Sequence, residues 1–577
     1  MHKAFHRFLS GLLLVLFAAR AGLCEGLQHY AGPQVVQRPS DMAWDDLRHC
    51  LVVLDERNSL LTTFTECGDW PREIWELPHH YSDIEWVGAS GFLLSPQTTA
   101  IEQLELTPTP TLRRTATTTI ALPTRLAGTT DGHQTTLAVC SQWKRQFEIL
   151  QINEPNSPMS MGRKELSFPP GEMLFHPSGK WLIIADAFQG HFSVVDCEQG
   201  TIISSFELPI HNIAGLQWES GRRLLVTCQK LHPNPTTDAN IAGGLVLEHL
   251  LLTLELDDSL QELGAIHEVE LGTPSQGAAD PTGIGLDSQG KVLVSASGAN
   301  QLVRLTERHQ VSERIDVGRR PTQIISDTEQ RRFLVLEEFT PAIRIIDMES
   351  GVVRQTLSFG PMAEKTPADR GEELFFDARL SLFEWMTCHS CHGHGHTNGR
   401  LADTFGDGNA GAPKAVLSLL GTRDNNPWAW NGSMQTLHGQ VTKSLQTTMH
   451  SPKVSAIDTI DLVAYLHTLA PPPPLAEIAA DDLLAGRKLF DRLGCAKCHI
   501  PPLTYTSDLT YDVGLPDEHG QKKFNPPSLL GVGQRFGYFH DLRSQSLKSA
   551  LINEGHQINE LLTPAEFELL VRYLQSL

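Results

Sequence analysis

Between residues 38 and 337 the chain repeats one pattern of apolar and polar positions. "RPSDMAWDDLRHCLVVLD" (38–55), "PPGEMLFHPSGKWLIIAD" (169–186), "DPTGIGLDSQGKVLVSAS" (280–297) and "RPTQIISDTEQRRFLVLE" (320–337) each run proline, apolar strand, polar turn, second apolar strand. Weaker copies begin near Ile84, Pro123 and Ile213, giving seven units mostly 39 to 47 residues apart, with one longer gap around 229–250. Paired strands at a period near 40 predict a seven-bladed, all-β propeller over 25–362. A β-sandwich with accidental spacing is the competing reading.

Past residue 362 the pattern changes. "GEELF" (371–375) and "GRKLF" (486–490) suit helices, and "LVAYLHTL" (462–469) returns as "LVRYLQSL" (570–577). "SLLG" stands at 418–421 and again at 528–531. The order is the same in both halves, so the pattern predicts two mainly α-helical modules, 366–470 and 480–577. The "PPPP" run at 471–474 is a stiff, extended linker between them. The polar, proline-marked "PMAEKTPADRG" (361–371) joins the propeller to the first module, and 366–577 is expected to fold by itself when cut there.

The N-terminus reads as a signal peptide over 1–21. Lys3 and Arg7 precede the apolar "FLSGLLLVLF" (8–17), and "ARA" (19–21) offers a cleavage site. Leu23 before Cys24 fits a lipoprotein signal poorly. No other stretch is apolar and long enough for a transmembrane segment. The chain is therefore expected to be exported to an oxidising compartment, the periplasm of a Gram-negative-type bacterium. Its formal net charge of −21 over 577 residues argues against nucleic acid as a partner.

Each helical module holds one more shared feature: "CHSCH" (388–392) and "CAKCH" (495–499). Zinc ribbons keep their CxxC pairs roughly 15–20 residues apart, whereas Cys495 follows Cys391 at a distance of a whole module. Neither zinc nor a redox disulfide explains a histidine after each pair. Covalent haem c does: two thiols add across the haem vinyl groups, and the adjacent histidine becomes the proximal iron ligand. Cys388, Cys391, Cys495 and Cys498 are thus the expected attachment residues, and His392 and His499 the iron ligands. No methionine follows Met449, so the second module has no His/Met pair. His519, His540, His556 or a tyrosine remains for its sixth position.

Residues 366–577 resemble the bacterial di-haem cytochrome c peroxidases and the MauG-like enzymes. The resemblance rests on "GEELFFDARLS" (371–381), both CxxCH motifs, "PWAWNG" (427–432), "FNPPSLLGVGQRFGYFHD" (524–541) and "LTPAEFELLVRYLQSL" (562–577). It implies a tryptophan between the haems, matched by Trp430, and a sixth ligand at His556, with His540 in a structural turn. It also implies a structural calcium. Two departures stand out. "GDGNAG" (406–411) places Asp407 where the family has a distal histidine, and "QTTM" (446–449) places Thr448 where it has a glutamate. Met449 is either a sixth ligand or a core residue. The blade "PSGKWLIIADAFQGHFSVVDCEQGTI" (177–202) resembles YVTN-like propellers. Together these imply a redox protein that moves electrons between an acceptor and a redox partner protein or small-molecule substrate. The alternative is a carrier with two six-coordinate haems and no substrate chemistry. The propeller cysteines Cys50, Cys67, Cys140, Cys197 and Cys228 are odd in number, and no disulfide is assigned to them.

Overall fold

The computed structural model describes residues 25–577 apart from 108, 154–157, 555, 557 and 559. The expected signal peptide and Cys24 lie outside the described residues. Seven antiparallel sheets follow one another along the chain. Their first strands, Asp41–Asp45, Asp83–Val87, Arg125–Thr130, Pro170–Phe175, His211–Ser220, Pro281–Leu286 and Pro321–Asp327, begin where the sequence units begin. Each touches the next, and the seventh returns to the first, so the strands line a closed ring. The seven-bladed propeller is as the repeat predicts.

Burial explains the repeated pattern. Second strands such as Cys50–Asp55, Trp181–Asp186 and Arg332–Glu337 are covered on both faces by neighbouring blades and read as nearly continuous apolar runs. Outer strands such as Met159–Glu165 and Val353–Ser358 are mostly exposed and polar. Aspartates close the turns: Asp196 accepts the N–H groups of Glu198 and Gln199, each at 2.9 Å. The ring closes without a shared strand. Arg332 of the last blade forks onto Glu66 of the first at 2.6 and 2.7 Å, and Met42 N–H donates to Gln323 at 2.8 Å. The short N-terminal strands Glu25–Gly26 and Gln28–His29 strap the outer edges of the second and first blades.

The long gap is an excursion from the fifth blade. Between strands Arg223–Leu231 and Leu247–Leu256 it carries helix α1 (Asp238–Ala242), capped by Thr237. Ile241, Val246 and Leu247 enter one core with Phe375, Trp385 and Leu462 of the first helical module. A cut at 363–370 therefore divides a shared core.

Each helical module is a frame of two crossed helices. In the first these are α2 (Pro367–Phe375) and, after α3 (Cys388–Cys391) and α4 (Leu437–Lys443), α5 (Ala456–Leu466). In the second they are α6 (Ala480–Arg492) and, after α7 (Leu547–Ile552), α8 (Pro564–Gln575). The threonine before each "TPA" start, Thr366 and Thr563, closes a capping box with Asp369 and Glu566. The glycine of G-x-x-L-F marks the helix crossing. A Cβ on Gly371 would strike the Asp461 carbonyl, and one on Gly486 would lie 2.6 Å from Tyr573 Cβ. The glycine of each SLLG has positive φ, 72° at Gly421 and 65° at Gly531. Its N–H donates to the last leucine of its module, Leu469 or Leu577, at 3.0 and 2.8 Å. Three of the four repeated sequence elements, G-x-x-L-F, SLLG and the closing L-V-x-Y-L-x-x-L, are thus contacts of one frame built twice. Helices are few, however, and 393–436 and 500–546 run mostly as turns and two-residue strands around the interior.

Candidate functional site

The first CxxCH begins on α3, a single turn capped by Thr387, whose hydroxyl accepts Ser390 N–H at 3.1 Å. Both hydroxyls, Thr387 and Ser390, donate to Asp280 of the propeller at 2.6 Å. His389 Nδ1 lies 3.5 Å from the same carboxylate. The Ser390 carbonyl accepts from His211 Nε2 at 3.0 Å and Asn212 at 3.2 Å, and His249 Nε2 donates to the Trp385 carbonyl at 2.7 Å. Burial holds His211 at about 3 and His249 at about 4, so both are neutral donors at ordinary pH. Burial pushes Asp280 up, but bonds from His389, Ser390 and Thr387 outweigh it and hold the carboxyl well below the usual range. The propeller thus grips the backbone of the haem motif from two blades. Helix α2 is gripped in the same way by Arg38 and Arg319, which reach Glu373 at 3.1 and 2.5 Å.

None of these propeller residues was expected from the sequence. The available signal was a polar side chain inside an apolar strand, as with His249 in "LEHLLLTLEL".

Cys388, Cys391 and His392 line a cavity of about 320 Å³. Met449, Thr448, Asp407 and Trp430 line the same cavity, which continues past Phe524 and Asn525 into the second module. Met449 is 4% exposed and closes the π-turn Ser444–Thr448 that extends α4. Asp407 does not stand free: His519 Nδ1 of the second module holds it at 2.6 Å. Burial raises the Asp407 carboxyl, but that hydrogen bond and the Asn409 N–H bring it below the usual range. Trp430 touches both modules. Its Nε1 donates to Ala415 O at 2.8 Å, and its ring meets Phe524 and His540 edge-on, each at 6.4 Å.

In the second module Gly494, at φ 78°, turns the chain into Cys495–Lys497. His499 Nδ1 bonds to the Tyr505 carbonyl at 3.0 Å, which leaves Nε2 available for a metal. The His556 ring lies 6.5 Å from that of His499, centroid to centroid, inclined at 63°. His540 is elsewhere, stacked on Phe524 at 4.3 Å with its carbonyl accepting Ala415 N–H at 2.7 Å. Burial pulls His392 and His499 down to about 4 and lowers His556 as well, favouring the neutral, ligating form.

Haem c fits these residues. The four CxxCH cysteines carry free thiols, and His392 Nδ1 and His556 Nδ1 are buried without a hydrogen-bond partner. Among the described residues no group of three His, Cys, Asp or Glu side chains gathers in metal-binding geometry. The five propeller cysteines are also free thiols, four buried and Cys67 exposed. Among the described residues no helix is long and apolar enough to cross a membrane.

A propeller joined to paired CxxCH modules defines a redox haem protein. Residues 366–469 match the model of the family described as di-haem cytochrome c peroxidase, a match that implies covalently bound haem c. Over 310 residues the chain is 23% identical to a cytochrome c551 peroxidase of Nitrosomonas europaea, covering 43% of this chain and 92% of that protein. Among solved structures, it resembles a chain of Kuenenia stuttgartiensis hydrazine synthase at 13% identity and a TM-score of 0.47, covering 56% of this chain and 99% of that one. A virginiamycin B lyase from Staphylococcus aureus matches at 14% identity and a TM-score of 0.40, covering 55% and 97%.

Proposed function

We propose that this chain is an exported di-haem c-type redox protein. It passes electrons between a substrate or partner protein and an acceptor, with the periplasm as its compartment. In this reading residues 1–21 are a leader, 25–362 a docking propeller, and 366–470 and 480–577 the two haem modules. The haems, when bound, supply one-electron chemistry. Cys388 and Cys391 fix one and Cys495 and Cys498 the other, with His392 and His499 as proximal ligands.

The observation that carries the reading is the common cavity wall. Residues of both modules line one space, and Trp430 stands in it, its ring against Phe524 and His540 of the second module and its Nε1 bonded to the Ala415 carbonyl of the first. Asp407 and Thr448 stand where the resembled family carries its peroxide-cleaving histidine and glutamate, which favours electron passage over peroxide cleavage. Thr448 has no titratable proton to offer at working pH.

His556 is the proposed sixth ligand of the second module. The rings of His499 and His556 lie 6.5 Å apart, centroid to centroid, so the two imidazoles would hold the iron between them when the haem is bound. A pyridine haemochrome assay with EPR of the oxidised protein tests the whole reading. Two haems per chain are expected, falling to one in Cys495→Ala/Cys498→Ala, with the second module low-spin. A single haem in the unaltered chain would overturn it.

A further inference from the structure

A second cavity lies where the propeller and both haem modules meet, and it is built differently from the first. Its volume is about 560 Å³, and its walls include Arg145 of the propeller, Arg400 of the first module and Arg535 of the second. Three guanidinium groups from three parts of the chain thus face one space in a protein whose net charge is −21.

Among the described residues none of the three makes an ion pair. Each donates to one backbone carbonyl: Arg145 to Gly533 at 3.2 Å, Arg400 to Ile210 at 2.8 Å, and Arg535 to Ser528. Arg145 Nε is buried without a partner. Two carboxylates stand near the arginines, and one of them, Glu207, is part of the cavity wall together with His191. Asp186 is fully buried and holds His191 Nδ1 at 2.7 Å, and the largely exposed Glu207 lies 3.5 Å from His191 Nε2. Burial pulls all three arginines below their usual range, and the carboxylates of Asp186 and Glu207 only partly offset it at Arg145 and Arg400. Guanidinium remains charged under such a penalty, and its planar fork suits carboxylates. Ser167, Gln189 and Gln545 add neutral hydrogen-bonding groups to the wall.

We propose that this junction is a binding site for a small polycarboxylate, held by Arg145, Arg400 and Arg535 and placed beside the haem cavity. Among the described residues Arg535 alone lines both spaces, so an anion here would sit one side chain away from the first cavity. Occupancy would neutralise buried positive charge at the contact of three parts of the chain, tying redox behaviour to the supply of an organic acid. A carboxylate could also come from within, as the propionates of the protein's own haem, and the test must separate the two sources.

Isothermal titration of the holoprotein with citrate is the direct experiment. Saturable binding is expected, weakened about tenfold or more in Arg145→Gln and in Arg400→Gln and lost in the double variant, since each substitution removes a charged hydrogen-bond donor from the carboxylates. Arg145→Lys keeps the charge without the fork and should fall between, which guards against a Gln variant that misfolds. Affinity should drop as sodium chloride is raised. Absence of saturable citrate binding, or equal binding by the double variant, would overturn the proposal. So would the third outcome, in which citrate does not bind and the Gln variants instead lose haem or shift its reduction potential. That result would assign the arginines to haem propionates. Haem content and spectra of the unaltered chain, measured first, keep a failure of the di-haem reading distinct from a failure of this one.

Discussion

The two haem modules share one frame and differ in what completes it. In both, a glycine lets two helices cross and a left-handed SLLG glycine ties the turn to the last leucine. The first module finishes its core with Ile241, Val246 and Leu247 of the propeller, and its haem motif is held by His211, His249 and Asp280. The core of the second is drawn entirely from its own residues, Leu489 to Leu577. Its motif opens to the surface, where Ile500 and Leu503 are 50% and 74% exposed. The comparison teaches that a duplicated module need not remain independent: one copy shares its core with the propeller, while the other keeps a core of its own and meets the propeller through contacts such as that of Arg145 with the Gly533 carbonyl.

Cutting the chain breaks the comparison most severely. Each of the three propeller aliphatics contributes about 1.5–3 kcal/mol on burial, a large share of the stability of a small domain. A 366–577 fragment exported with a new leader should therefore hold one haem by haemochrome assay, in the second module. Two haems in that fragment would mean that the first module stands without its propeller.

Axial ligation is the next largest difference. His556→Ala should convert one haem from low to high spin and open it to cyanide, leaving the other spectrum unchanged. The potential of the second centre should lie below that of a His/Met haem, because thioether ligation raises the potential. His540→Ala should leave the spin state alone, since that ring is stacked on Phe524.

How far the sequence foretold this difference depends on the range of the interactions. The blades were legible because each is a local pattern: a proline or aspartate start, an apolar strand, a turn closed by aspartate. The module frame was legible because it occurs twice. The grip on α3 was not, because His211 and His249 are single polar residues in separate strands and Asp280 stands just ahead of a third, and they converge only when the ring closes. Asp407 was read by its place in a motif, while its partner His519 lies 112 residues away, a pairing no spacing rule contains. Three arginines scattered at 145, 400 and 535 give even less sign of sharing a cavity.

Asp280→Asn sharpens the comparison with a smaller effect. It removes a buried charge that receives two hydroxyls, so the first module should lose about 2 kcal/mol while the second is untouched. Thermal unfolding followed in the haem bands checks this. The folded carboxyl lies below its unfolded value of about 3.9, so its contribution is present above that pH and lost as pH falls through the folded pKa. The unaltered chain should keep this contribution through neutral and mildly acidic pH. The variant should lack the added acid sensitivity below about pH 4.

The smallest effect on structure, and the most informative for function, is expected from Trp430→Phe. The indole lies against Phe524 and His540 of the second module while its Nε1 holds Ala415 of the first. Phenylalanine keeps an aromatic ring in the gap but loses that hydrogen bond, a cost of about 1 kcal/mol. Haem content and both spin states should be unchanged, because no attachment residue or ligand is touched. What should fall, by several-fold, is the rate at which the two centres equilibrate after flash reduction of one. Trp428, which donates to the Thr422 carbonyl at 3.2 Å within the first module, is the control. Its replacement by phenylalanine should disturb that module's turn and leave the rate between modules unchanged. Equal slowing in both variants would mean that packing around the cavity governs the rate. Slowing at Trp430 alone would assign the passage between the modules to that side chain.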